Sequence, residues 1–78
     1  MNYIATFYSH FGAMRYKKIC DDLNISAKLM PVPRSLSSSC GTCVRYESNA
    51  FDCVAIHDDE IEQIAEENGA GYHILYPN

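Results

Sequence analysis

The sequence predicts an α+β domain in which two helices cover one face of a small, mainly antiparallel sheet. Three observations carry this expectation. Strand-like aromatic and β-branched runs stand near both ends, two stretches have helical periodicity, and 78 residues leave no room for a second core. The whole chain, 1–78, is therefore read as one domain.

The first strand is expected over Asn2-Tyr3-Ile4-Ala5-Thr6-Phe7-Tyr8. Ser9 follows as an N-cap, because its hydroxyl can accept an orphan amide of the first helical turn. Gly12, Tyr16, Ile19, Cys20 and Leu23 then recur at helical spacing, with Arg15, Lys17, Lys18 and Asp22 largely off that stripe. Asp21 and Asp22 oppose the helix dipole, which predicts fraying there, and Asn24 suits a left-handed stop. A second strand spans Ala27 to Met30 and ends at Pro31 and Pro33, which remove ladder donors. A Ser/Cys loop leads into Cys43-Val44-Arg45-Tyr46-Glu47, whose alternation predicts a third strand with one solvated face. Ser48 and Asn49 turn the chain, and Phe51 to Ile56 is either a short strand or an extended lead-in to a helix. Asp58 or Asp59 caps an expected second helix carrying Ile61, Ile64 and Ala65, ended by Gly69. Tyr72 to Tyr76 alternates as a final strand and stops at Pro77. With right-handed crossovers, this order folds most simply as a ferredoxin-like βαββαβ sandwich.

Charge narrows the function. All six basic residues lie at or before position 45 with two acids, and eight acids follow with no base, so the halves carry +4 and −8. A nucleic-acid binder needs a concentrated basic face without such a counterweight, so nucleic acid is not expected as a partner. No apolar run approaches the ~20 residues of a membrane helix, and no membrane partner is expected. Met1 to Ala5 lacks the features of a secretory signal, which predicts a reducing, cytoplasmic location. Four cysteines in such a compartment are not read as a disulfide framework.

The residues that ordinary construction does not explain are Cys40-Gly41-Thr42-Cys43, after the polar run Ser35-Leu36-Ser37-Ser38-Ser39. Two thiols three residues apart in a loop can form an internal disulfide, or one can attack a cargo that the other resolves. Gly41 permits a tight turn, and Arg34 and Arg45 flank the loop as sources of positive potential. Ser37, Ser38, Ser39 and Thr42 offer donors to a bound anion. A thioredoxin-like reading is disfavoured, since Cys43 enters a strand and no helix dipole acidifies Cys40. A zinc or iron–sulfur site would need ligands beyond this one CxxC, from Cys20, Cys53, a distant His or a second chain. Cys20 falls on the apolar helix stripe and is read as core, with Cys53 in a similar apolar run. His10, His57 and His73 have no partner at ligand spacing, and the acidic run Asp58 to Glu62 is read as a solvated face. Six tyrosines are simplest as core and sheet cover, with a homodimer left open.

The stretch Met30-Pro31-Val32-Pro33-Arg34-Ser35-Leu36-Ser37-Ser38-Ser39-Cys40-Gly41-Thr42-Cys43-Val44-Arg45-Tyr46 resembles a small bacterial family described as Se/S carrier protein-like. The resemblance extends to the N-terminus, where a strand ending Thr6-Phe7 precedes Ser9-His10 and a helix. It implies a compact α/β domain associated with selenium and sulfur metabolism, with Cys40 as the carrier position. On that basis a persulfide or selenylsulfide on Cys40 is expected. Cys43 resolves or stabilises it, and Arg34, Arg45 and the Ser/Gly/Thr loop favour the charged terminal atom. Such a protein is a relay more than a classical enzyme and needs no cofactor of its own. Its expected partners are a cysteine desulfurase-like donor and an acceptor enzyme. The alternatives are a metal-binding interaction module, a dithiol redox switch, and a loop that binds a partner without using its sulfurs.

Overall fold

The computed structural model describes residues 1–49 and 59–77. Its elements are β1 (Asn2–Phe7), α1 (His10–Asp22), β2 (Ala27–Pro31), β3 (Thr42–Glu47), β4 (Ile61–Asn68) and β5 (Gly71–Tyr76). The five strands form one sheet in the order β2-β3-β1-β4-β5, with every neighbouring pair antiparallel. Strand β1 is central and buried from Tyr3 to Phe7, which explains its continuous apolar and β-branched character.

Residues opposite one another in an antiparallel ladder share a face. Tyr3 lies opposite Tyr46, Ala5 opposite Val44 and Ile64, and Phe7 opposite Ile61. These side chains meet Ala13, Tyr16 and Cys20 of α1 in the main core. Four rings run through it in series, with Phe7–Tyr16, Tyr16–Tyr46 and Tyr46–Tyr3 centroids 5.3, 5.5 and 5.5 Å apart. Tilted aromatic pairs at this spacing add directional attraction to their burial. Tyr3, Tyr16 and Tyr46 thus serve as core, whereas Tyr8 and Tyr76 are exposed. The alternate positions Ile4, Thr6, Cys43 and Ala65 point to the opposite face and are also fully buried.

Helix α1 begins as its sequence predicts. The Ser9 hydroxyl accepts the Gly12 amide at 3.3 Å, and Ser9 has extended backbone. The helix ends in a Schellman motif. Asn24 adopts φ 59, its amide reaches the Asp21 carbonyl at 3.1 Å, and the Ile25 amide reaches Cys20 at 2.8 Å. The expected fraying is corrected, because these bonds satisfy the last carbonyls. Lys17 and Lys18 also place ammonium groups beside Asp21 and Asp22 one turn on.

The two-helix sandwich is corrected. Among the described residues there is one helix, and Ile61–Asn68, expected as part of a second, is strand β4. Phe7 pairs with Ile61 and Thr6 with Gln63, so Glu62 is an extra residue in β4, a bulge. Past the bulge, Ile61 and Ile64 fall on one face although they are three apart, the spacing that otherwise signals a helix. Pairing with β1 decides the outcome, since a buried central strand needs hydrogen-bond partners along both edges. Gly69 and Ala70 therefore make the turn between β4 and β5, with the Ala70 amide on the Asn68 side-chain oxygen at 2.9 Å. The expectations for Phe51 to Ile56, Cys53, His57 and Asp58 fall outside the described residues. Among the described residues no helix is long and apolar enough to cross a membrane.

Candidate functional site

The antiparallel registers gather four strand ends at one end of the sheet. Phe7 ends β1 opposite Ile61, which starts β4, while Pro31 ends β2 opposite Thr42, which starts β3. The N-terminus of α1 follows β1 at the same end. The β2–β3 connection that carries the cysteines therefore lies over the end of β1, beside the first turn of α1.

This connection is closed at its base by a Val32 amide to Gly41 carbonyl bond of 3.1 Å. At its tip, the Leu36 amide reaches the Pro33 carbonyl at 3.0 Å, a β-turn with Arg34 and Ser35 at its corners. Arg34 is exposed there. The serine segment is pinned from β4. Gln63 Nε2 donates to the Ser37 carbonyl at 2.7 Å. The Ser39 amide and hydroxyl donate to the two oxygens of Glu62 at 3.1 and 2.8 Å. Thr6 Oγ1 adds a 3.4 Å contact to Glu62, and Ser38 Oγ lies 3.4 Å from the Phe7 carbonyl. The bulge lets two consecutive β4 side chains reach the same loop, because the alternation of an unbroken strand would point them to opposite faces.

The two cysteines differ sharply. Cys40 is a half-buried free thiol that packs against the main core, and its Sγ donates to the Thr42 carbonyl at 3.3 Å. Gly41 then turns the chain with φ 76, a conformation that disfavours a side chain although no atom would meet its Cβ within 4 Å. Thr42 faces α1, where its Oγ1 is 2.8 Å from His10 Nδ1. Cys43 points to the opposite face, is fully buried, and places Sγ 3.7 Å from the Pro31 carbonyl. Burial, with the neighbouring Cys40 as a smaller cause, pushes its pKa up to about 11. Cys43 is therefore a neutral thiol at neutral pH. Cys20 is buried in the core, as its place on the helix stripe predicts.

The electrostatics of the loop are more balanced than its sequence suggests. Arg45 shares the Cys43 face but is committed to Glu67, with Nε and Nη2 3.2 and 2.5 Å from one carboxylate oxygen. This pairing holds its guanidinium charged more firmly than usual. The amide and hydroxyl of Ser39 are engaged by Glu62, so its donors serve the loop itself. Sequence reasoning missed His10, Glu62 and Gln63 as neighbours of the loop. The order of the first two strands and helix places His10 at that end of the sheet, a usable signal, but nothing in the spacing marks the bulge at Glu62. Among the described residues no three His, Cys, Asp or Glu side chains gather as a metal site.

Against known proteins, a family model described as "Putative Se/S carrier protein-like" matches residues 2–77. No curated protein and no solved structure matches the chain.

Proposed function

The chain belongs to the Se/S carrier protein-like family, and from that premise we propose that it carries a sulfur or selenium atom covalently on Cys40. The observation that supports this most directly is the asymmetry of the two thiols. Cys40 is a free, half-buried sulfur on a held loop, whereas Cys43 is fully buried on the opposite face of the sheet. In loading, the Cys40 thiolate attacks the terminal sulfur of a donor persulfide. The Cys40–sulfur bond forms as the donor's sulfur–sulfur bond breaks, and the electron pair leaves on the donor thiolate. Unloading is the same displacement by an acceptor nucleophile, with Cys40 as leaving group. Neither step changes the net oxidation state, so the protein acts as a relay between a desulfurase-like donor and an acceptor enzyme.

Cys43 supplies the second possibility for the loaded cargo. Its attack on the Cys40 sulfur would form a Cys40–Cys43 disulfide and release hydrogen sulfide or selenide. A neutral, buried thiol is a poor nucleophile, so the resting loop favours retention of the cargo over its discharge. The serines hold the loop through Glu62 and Gln63 more than they contact the cargo in this reading. Arg34, exposed at the tip, is the cation left to meet an anionic terminal chalcogen.

The test is intact-mass spectrometry of reduced protein after anaerobic incubation with sodium tetrasulfide, then removal of the reagent. Wild type is expected to gain one sulfur atom, Cys43→Ser to gain it as well, and Cys40→Ser to gain none. Loading that persists in Cys40→Ser would sink the assignment.

A further inference from the structure

Cys40 is held from both sides. On one side, the Gly41 carbonyl accepts the Val32 amide at 3.1 Å, and Thr42 Oγ1 lies 2.8 Å from His10 Nδ1. On the other, the amide and hydroxyl of Ser39 donate to the two oxygens of Glu62 at 3.1 and 2.8 Å. The same carboxylate lies 3.4 Å from Thr6 Oγ1, and Thr6 is the cross-strand neighbour of Cys43. Glu62 therefore ties the residue before one cysteine to the residue beside the other. Hydrogen bonds to a carboxylate are roughly twice as strong as neutral ones. Gln63 holds the Ser37 carbonyl at 2.7 Å, farther along the chain from Cys40, so Glu62 is the β4 tie that bears on the sulfur.

This arrangement keeps the two sulfurs apart. Cys40 packs on the core face that α1 covers, whereas Cys43 is fully buried on the opposite face. A disulfide needs Cα atoms within about 7 Å and Cβ atoms that point toward each other. Bringing Cys40 across requires the segment around Ser39 to rotate, and the bonds from Ser39 to Glu62 oppose that rotation. Ser39 is exposed, so the clasp can part at the surface while β1 stays buried.

We propose that Glu62 is a positioning residue that decides the fate of the sulfur on Cys40. With the clasp closed, the cargo waits for an outside acceptor. With it open, Cys43 displaces the cargo as hydrogen sulfide. The inference rests on the carrier reading of Cys40 and adds what protects the loaded state. The discharge step balances within the chain. The Cys43 thiol gives up its proton and attacks Cys40 Sγ, so that the Cys40–Cys43 bond forms as the bond from Cys40 to the terminal sulfur breaks. The electron pair leaves on the terminal sulfur, which takes up the proton and departs as hydrogen sulfide. Cys43 is oxidised and the terminal sulfur is reduced, so no outside oxidant enters.

For the test, the reduced full chain is loaded anaerobically with sodium tetrasulfide and freed of reagent. Sulfide release and intact mass are then followed without reductant for wild type, Glu62→Ala, Glu62→Gln, Cys43→Ser and the Glu62→Ala/Cys43→Ser double variant. Glu62→Ala should release sulfide about tenfold or more faster than wild type, the factor expected for losing hydrogen bonds to a charged group. Its mass should pass from the loaded protein to the internal disulfide, at a rate independent of protein concentration. Glu62→Gln keeps one acceptor oxygen and should fall between the two, and it carries the comparison if the alanine variant does not fold. Cys43→Ser and the double variant should both retain the cargo, a result that a loop merely loosened to solvent would not give. Release from both Glu62 variants at the wild-type rate would overturn the proposal. So would fast release that persists in the double variant, or a rate that rises with protein concentration. Failure of tetrasulfide to load Cys40 in wild type removes the carrier reading itself, and this proposal with it.

Discussion

Raising the pH from about 7.5 to about 10.5 should destabilise the wild-type chain by about 2 kcal/mol more than a Cys43→Ala variant. The reasoning starts from burial. Cys43 has no exposed surface, and its thiolate would be desolvated in the folded state, which raises the pKa from 9.0 to about 11. A raised folded-state value means that the folded protein keeps a proton that the unfolded chain releases. The stabilisation is therefore fully present below about pH 9 and is lost as pH climbs through about 11. The rise from 9.0 to about 11 sets an upper limit of about 3 kcal/mol, most of which is lost by about pH 10.5. The assay is urea unfolding under reductant at both pH values. With a slope of about 1 kcal/mol per molar, the wild-type midpoint should fall by about 2 M beyond the fall in Cys43→Ala. The variant starts less stable at neutral pH, because it leaves a small cavity, but only the difference in pH dependence matters. Ionisations common to the two proteins cancel in that difference. Parallel pH dependence in the two proteins would refute the burial argument, and with it the explanation of why Cys43 stays unreactive.

Gly41→Ala should lower the melting temperature by about 4–8 °C, since φ 76 costs an L side chain about 1 kcal/mol. Gly41→Asn should lose less, and an unchanged alanine variant would mean that the turn relaxes freely. Glu62→Ala removes the acceptor of the Ser39 amide and hydroxyl. Hydrogen exchange in a peptide covering Ser37 to Gly41 should rise at least several-fold while β1 stays protected, and unchanged exchange would show that Gln63 alone holds the loop. Asn24→Gly should leave stability unchanged or raise it, whereas Asn24→Ala should cost about 1 kcal/mol, because φ is 59 at the helix stop. Equal midpoints for both variants would contradict that account.

Much of the first two-thirds of the molecule was legible in its sequence. Local chemistry decides a strand of alternating aromatic and β-branched residues, an N-cap serine, a left-handed asparagine and a proline-terminated edge strand. Each is satisfied within a few residues of itself. The CxxC loop was legible for a similar reason, because two thiols joined by a glycine-containing turn carry their chemistry in the covalent chain. Cys43 marks where local reading stopped: its position in a strand was foreseeable, but its depth depends on how the sheet's far face is covered.

What the sequence by itself determined is the set of groups available for chemistry and the segments β1, α1, β2 and β3 that bring Cys40 to one end of a sheet. Only the tertiary structure decided that Ile61–Asn68 is a strand. The same apolar spacing of three fits a helix or a bulged strand, and pairing with β1 chooses between them. That choice carries Glu62 and Gln63 across to the cysteine loop, 23 and 26 positions from the residues that they hold. Contacts between residues so far apart in the chain are set by which strands share hydrogen bonds, a property of the assembled sheet and of no single segment.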